Sequence, residues 1–406
     1  MKSRFLGLHP TVLILAATHF ILDGYGNILA PLLPLLIARL DLTLAAAGTL
    51  TMCFQMSSSV AQLGFGHIAD RWRPRLLLLV GPVISVTVLP LIGLGHSLAS
   101  LAAILIVGGL GGAAFHPPAA ALVHRCSGSQ KGLSMSFHIT SGTLGQALAP
   151  LIFAPFVQRY GIETTPVLMI PPLAILFTVL LRRIPAVDRL QEHTAARGVS
   201  ALRAYATPLT LLYFIVVLRT LTSLSFGTFM PVMLTRRGMS LAQAGMVVSL
   251  YLTAVGLGGF FGGPVADRYG PRRVIILSLV SAVPFLAVAP MLDGWQLVVV
   301  LSVGGFLLQS TLPVNVTFAQ MIAPVSAATV SSLMMGFAWG MGGLLVPFVG
   351  MLADRIGIER TLVSMTSLPL IAAALALPLP SGGLRHVVPR AADVSIGEST
   401  GTDVAR

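Results

Sequence analysis

Residues 66–75 read GHIADRWRPR, and residues 263–273 read GPVADRYGPRR. Gly66, Asp70, Arg71 and Arg75 return as Gly263, Asp267, Arg268 and Arg272, each at an offset of 197 residues. Each copy leaves one long apolar segment and enters another, so each reads as a short charged turn between two membrane-spanning helices. Four identities at one offset across half the chain mark two related halves. Unrelated basic loops serving only membrane topology would not fix Gly and Asp at matching places. The glycine is expected to let the helix end approach a neighbour. The aspartate is expected to accept from backbone donors or an arginine, in a network made in one state and broken in the other.

Around these turns the chain is 55% apolar and only 9% charged, with 25 Lys and Arg against 13 Asp and Glu. A soluble chain of this length needs far more charge to cover its surface. Apolar runs of about 20 residues, long enough to cross a hydrocarbon core of about 30 Å, recur from end to end. Spans are expected at 11–37, 44–68, 76–94, 98–123, 131–155, 164–181, 207–234, 240–266, 273–290, 295–318, 327–351 and 361–379. Pro and Gly within them, such as Pro117, Pro118, Pro150 and Pro347, read as kinks and close contacts between membrane helices. The internal symmetry extends further. Gly145 and Pro150 recur as Gly342 and Pro347, and Gly161-Ile162-Glu163 as Gly357-Ile358-Glu359.

The fold class expected is an all-α integral membrane protein, with twelve transmembrane helices in two pseudo-symmetric six-helix halves. The halves are residues 1–181 and 207–379, joined by a basic cytoplasmic linker at 182–206 and followed by a disordered tail at 380–406. With the N-terminus inside, 18 of the 25 Lys and Arg fall on the cytoplasmic side and 6 outside, with Arg219 inside a span. That bias places both termini in the cytoplasm. The net charge of +12 is therefore a topology signal rather than a nucleic-acid one. The first apolar stretch runs past Leu36 without a small-residue cleavage site, so it reads as a first span that also targets the chain. Cys53 and Cys126 suggest neither a disulfide nor a metal site. The chain has no GxxxxGK[ST] and no GxGxxG in a strand setting, so no enzyme activity, cofactor or metal is expected.

Polar groups inside spans are costly unless they face a partner or an aqueous cavity. His19 and Asp23 are four apart, share a helical face and can exchange a proton. Asp23 is the only carboxylate expected deep inside a span. His116 precedes Pro117-Pro118, where it either lines a cavity or satisfies a carbonyl that the prolines release. Arg219 is the one residue in a span interior charged at any pH, and a shift of 200 sets it opposite His19. There it binds an anionic substrate or neutralises Asp23, unless it snorkels to a span end. His138 is a further candidate, with Gln55, Gln62, Gln146, Gln309 and Asn315 reading more readily as interhelical hydrogen bonds. Trp339 can line the cavity, while Trp72 and Trp295 read as interface anchors.

The repeated turn resembles the conserved loop between helices 2 and 3 of the major facilitator superfamily and its weaker copy between helices 8 and 9. Within that superfamily the chain is similar to the fosmidomycin-resistance efflux group. The stretches that carry this are THFILDGYGNILAPLLPLL from Thr18, Cys53-Phe54-Gln55 with Gln62, and GGAAFHP from Gly111 to Pro117. SGTLGQALAP, Ser141 to Pro150, weakly resembles the helix-5 motif of drug/proton antiporters. The chain departs from the group at Pro118 and Leu22. The resemblance implies a bacterial inner-membrane carrier working by alternating access, with His19, Asp23 and His116 at the family's polar positions. It implies a proton-coupled exporter (antiporter) of a small anionic or amphiphilic compound, of the antibiotic-resistance kind. Proton-coupled or facilitative uptake of an organic anion is the alternative, and a non-transporting membrane sensor or scaffold is a third. Partners expected are the small-molecule substrate, protons and membrane lipids, with no nucleic acid, and the protein is expected to be a monomer.

Overall fold

The structure, a computed structural model, describes residues 8–71, 74–128, 130–180, 205–323, 330–331 and 333–380. The chain is all-α. Among the described residues, ten helices are long and apolar enough to cross a membrane. They are α1 (Pro10–Leu40), α3 (Pro74–Leu94), α4 (Leu98–Cys126), α5 (Leu133–Tyr160), α7 (Ala206–Arg236), α8 (Leu241–Tyr269), α9 (Pro271–Met291), α10 (Gly294–Ile322), α11 (Leu333–Ile356) and α12 (Ile358–Ala376). Two more complete the two sets of six: α2 (44–71), enriched in Ser and Gln, and the shorter α6 (Ile162–Thr178). The expected spans all have a counterpart, and most helices run a few residues longer. The linker from 182 to 204 and the tail from 381 lie outside the described residues.

Local chemistry sets the helix starts. Thr43 caps α2 by accepting from the Ala46 N–H, and Ser240, its equivalent 197 residues on, caps α8 by accepting from the Gln243 N–H. Ser97 with Ser100 and Ser240 with Gln243 form reciprocal capping boxes. Large apolar side chains such as Leu277 and Phe348 face outward, exposed by more than half, as a lipid-wetted surface requires. Trp295 is 73% exposed at the start of α10, where an interface anchor is expected; Trp72 lies outside the described residues.

The charged turn occurs more often than the opening pair of motifs. Ala154-Pro155-Phe156-Val157-Gln158-Arg159-Tyr160-Gly161 and Gly350-Met351-Leu352-Ala353-Asp354-Arg355-Ile356-Gly357 follow the pattern of Gly263 to Gly270. The backbone repeats as well. Gly161, Gly270 and Gly357 share φ of 87°, 88° and 89°, a region open to glycine, and each donates its N–H to the carbonyl four residues back. These turns join α5 to α6, α8 to α9 and α11 to α12. Two copies therefore lie on the face bearing Gly66 and Gly263, here the motif face, and two on the opposite, far face. Each half is itself two inverted three-helix units.

On the far face the halves are in contact. The Asp354 carboxylate of α11 accepts from the Leu44 and Ala45 N–H groups at the start of α2, at 2.9 and 3.0 Å. In the related position, Gln158 Oε1 of α5 accepts from the Ala242 N–H at the start of α8, at 2.8 Å. Glycine permits this approach at Gly48, where a Cβ would stand 2.7 Å from the Val346 carbonyl oxygen. Single π-helical turns, Met56–Val60 in α2 and Leu333–Phe337 in α11, meet across the same interface.

Toward the motif face the halves part. A Cβ added at Gly64 or Gly263 would meet no atom within 4 Å, and at Gly66 only Pro117 Cβ at 3.8 Å. The close approach expected of the motif glycines is therefore not made in this conformation. Asp267 is exposed and has no hydrogen bond or ion pair among the described residues, while Arg268 lies over the Tyr269 ring at 5.4 Å. Arg75 and Arg272 are half-buried. The side chains of Asp70 and Arg71, and the whole of Trp72 and Arg73, lie outside the described residues.

Candidate functional site

Two polar clusters sit among apolar helices, one in each half. In the first half, His19 and Asp23 face the same way from α1 because they are one turn apart. His19 Nδ1 lies 2.8 Å from the backbone carbonyl oxygen of His138 in α5. A carbonyl only accepts, so Nδ1 carries the hydrogen. The other ring nitrogen, Nε2, is 3.3 Å from Asp23 Oδ2, and His116 Nε2 of α4 is 3.5 Å from Asp23 Oδ1. Gln146 of α5 donates from Nε2 to Asp23 Oδ2 at 3.0 Å. The His138 ring is centred 4.4 Å from that of His19, and its buried Nδ1 has no hydrogen-bond partner. The side chains of Asp23 and His116 are 14% and 25% exposed, so the cluster is in reach of solvent.

Gly142 makes room for this arrangement. A Cβ there would stand 2.5 Å from His19 Nε2 and 2.8 Å from Asp23 Oδ2. Gly142 lies in the stretch Ser141 to Pro150, where the repeat picks out Gly145 and nothing picks out Gly142. Gln146 read only as an interhelical hydrogen bond, and is one, but to the central carboxylate. His116 was open between a cavity role and bonding a freed carbonyl. Its side chain meets the Asp23 carboxylate, at 3.5 Å.

In the second half, Arg219 of α7 is 1% exposed. It donates from Nη1 to Gln309 Oε1 of α10 and from Nη2 to Thr220 Oγ1 at 3.2 Å. Its guanidinium carbon lies 5.4 Å from the ring centre of Trp339 in α11, and Nε has no partner. Both amide atoms of Asn315 are buried and unpartnered as well. Two of the expectations for Arg219 are corrected. At this depth it does not snorkel, and it does not neutralise Asp23. Among the described residues no carboxylate lies within ion-pair distance of it, and Asp23 is held by His19, His116 and Gln146. Of the remaining candidates, Gln62 bonds back to the Ser58 carbonyl at 2.7 Å, and Gln55 packs under Gly343.

The two clusters stand on equivalent helices, α1 and α7, of two halves that touch on one face and separate on the other. Comparison with known proteins decides the family. The model of the Major Facilitator Superfamily matches residues 15–226 and 212–391. The chain belongs to the major facilitator superfamily. Two relatives in this superfamily carry different substrate names. The fosmidomycin resistance protein of Escherichia coli is 27% identical, with 88% of this chain and 89% of that protein covered. The probable sulfoacetate transporter of Cupriavidus necator is 26% identical, with 88% and 90% covered. Among solved structures, a bacterial homologue of the human lysosomal transporter Spinster superimposes with a TM-score of 0.75. It is 16% identical, with 90% and 95% covered, a likeness of fold alone. A major facilitator chain is a multi-pass membrane protein that moves small molecules by alternating access, and it is not an enzyme.

Proposed function

We propose that this chain takes up a small organic anion together with a proton. The observation that carries this is Arg219, a fully buried guanidinium without a carboxylate partner among the described residues. An uncompensated buried charge is expensive, and a bound anion is what removes the cost. The fork geometry of Arg219, with Gln309 beside it and Trp339 against its face, suits a planar or tetrahedral oxyanion.

The first half supplies the proton. With Nδ1 of His19 committed to the His138 carbonyl, a neutral imidazole would turn a lone pair toward the Asp23 carboxylate. A proton between Nε2 and Oδ2 converts that repulsion into a charge-assisted hydrogen bond. An anion on Arg219 takes that cluster from +1 to neutral, and a proton on His19–Asp23 takes the other from −1 to neutral. Closing the motif face over both then buries no unpaired charge.

Export of a drug-like compound, the direction expected from sequence, rests on likeness to the fosmidomycin-resistance group and on the weak likeness of Ser141 to Pro150 to the helix-5 motif of drug/proton antiporters. Uptake of an organic anion draws on Arg219 and on the probable sulfoacetate transporter among the relatives. We place the motif face and both termini in the cytoplasm of a bacterial inner-membrane protein, from the distribution of Lys and Arg. The test is uptake of radiolabelled sulfoacetate and of simple carboxylates into proteoliposomes with an imposed pH gradient. Acid outside should accelerate uptake, and accumulation against the substrate gradient should collapse with a protonophore. Substrate moving only outward against an inward proton gradient would replace uptake with antiport.

A further inference from the structure

We propose that His19, Asp23 and His116 form a binding site for a divalent transition-metal cation of the zinc class. His19 Nε2, a carboxylate oxygen of Asp23 and His116 Nε2 all lie within 4.8 Å of one another. His19 Nε2 is 3.3 Å from Asp23 Oδ2, and His116 Nε2 is 3.5 Å from Asp23 Oδ1. A tetrahedral ion with bonds of about 2.0–2.1 Å sets its ligand atoms about 3.3–3.4 Å apart. Each imidazole thus stands about one tetrahedral edge from the carboxylate, one on each of its oxygens, and a turn of the carboxylate with movement of the rings would bring all three groups onto one ion.

Three further features point the same way. Metal-bound histidines usually donate their other ring N–H to a carbonyl or carboxylate, which fixes the ring and its tautomer. His19 does so to the His138 carbonyl. That bond leaves the lone pair of Nε2 and the carboxylate of Asp23 converging on one region, which a cation would satisfy. Beside it, the His138 ring, 3% exposed, keeps an unpartnered Nδ1, so part of the polar surround has been taken from water without finding a protein partner.

Two imidazoles and one carboxylate suit zinc, cobalt or nickel better than magnesium or calcium, which prefer all-oxygen shells. Three protein ligands leave a fourth position for water or for an oxygen of an anionic ligand. The site would carry one net positive charge with the ion bound, and the exposed edge of His116 gives a way in. The inference rests on the placement of these side chains and not on proton coupling. A metal here would occupy the place of the proton and bridge α1 to α4.

The test uses the full-length protein purified in detergent and titrated with cobalt(II). A tetrahedral nitrogen- and oxygen-ligated cobalt ion gives intense visible absorption, whereas ions on surface histidines, six-coordinate with water, give weak bands. One equivalent of the intense species is expected, displaced by one equivalent of zinc. Asp23→Asn and His116→Ala should each weaken binding by more than about tenfold, and His124→Ala should leave the spectrum unchanged. Thermal unfolding without metal reports whether each variant is folded, and Asp23→Asn keeps the size of the native side chain. Weak bands only in the wild type, or an intense spectrum retained in folded Asp23→Asn and His116→Ala, would overturn the site. Proton-driven uptake in a protein that gives no tetrahedral spectrum would leave the proposed function standing and remove the metal site alone.

Discussion

The carboxylate of Asp354, at the end of α11, holds the N–H groups of Leu44 and Ala45 at the start of α2. One residue of the second half thereby caps a helix of the first. A negative acceptor at a helix N-terminus satisfies orphan donors and meets the positive end of the helix dipole. The far face opens only if this cap breaks. Asp354→Ala should lose about 1 kcal/mol of closure, roughly a fivefold shift toward the far-face-open state. Spin labels on Thr164 and Arg360, in the first turns of α6 and α12 at the far face, should report a larger population at long distance. An unchanged distance distribution would show that the cap does not hold the gate.

Asp23 gathers every polar side chain of its cluster except His138. Asp23→Asn removes the charge that orders His19 and His116 while keeping an amide for Gln146 to meet. Uptake driven by a pH gradient should be lost, while exchange of labelled for unlabelled substrate at equal pH persists. Substrate-dependent proton flux in proteoliposomes measures this, and equal flux in wild type and variant would exclude Asp23 as the coupling group. His19→Ala should be milder, since His116 still meets the carboxylate.

Arg219→Lys keeps a positive charge and loses the planar fork. Hydrogen bonds to charged groups contribute about 1.5–3 kcal/mol each, so substrate affinity should fall roughly 10- to 100-fold. The KM for uptake should rise by that factor while the amount of protein in the membrane stays the same. An unchanged KM would mean that Arg219 is a structural charge.

The distribution of Lys and Arg predicts the orientation of the chain. Topology reporters fused after Arg197 and at the C-terminus should read cytoplasmic, and one inserted near Arg236 should read external. An external signal at Arg197 would reverse the assignment of the motif face.

Most of the helices were legible because a bilayer imposes length and apolarity together, and Gly66 with Gly263 gave the two halves away. His19 and Asp23 were legible because a helical period puts residues four apart on one face. What brings His116, His138 and Gln146 to them is packing of α1 against α4 and α5, for which a single sequence carries no spacing rule. Gly142 was invisible for the same reason, since its importance lies in what stands opposite. The expectation that Arg219 stands on the helix equivalent to that of His19 followed from the repeat. The lack of a carboxylate partner for Arg219 did not, because pairing depends on distances between helices. The π-helical turns had no signal at all. The copies of the charged turn at Gln158 and Asp354 were present in the sequence but hidden by inverted topology, which puts them on the opposite side of the membrane.

That four-fold turn makes the resting conformation a comparison between near-copies. The position that caps across the halves is occupied by Asp70 and Asp267 on the motif face, and by Gln158 and Asp354 on the far face. By the repeat, we expect closing of the motif face to present Asp70 and Asp267 to the starts of α11 and α5, as Asp354 and Gln158 are presented to α2 and α8 here. A charged acceptor is about twice as strong as a neutral one, so the lone amide handicaps far-face closure by about 1 kcal/mol. That one side chain, far from substrate, is expected to tilt the balance between the two closed states. Gln158→Asp should equalise the two ends of the seesaw, lengthening the time spent closed on the far face and slowing turnover without touching affinity. Single-molecule dwell times on the Thr164–Arg360 pair would read that change, and unaltered dwell times would show that the two gates are weighted elsewhere.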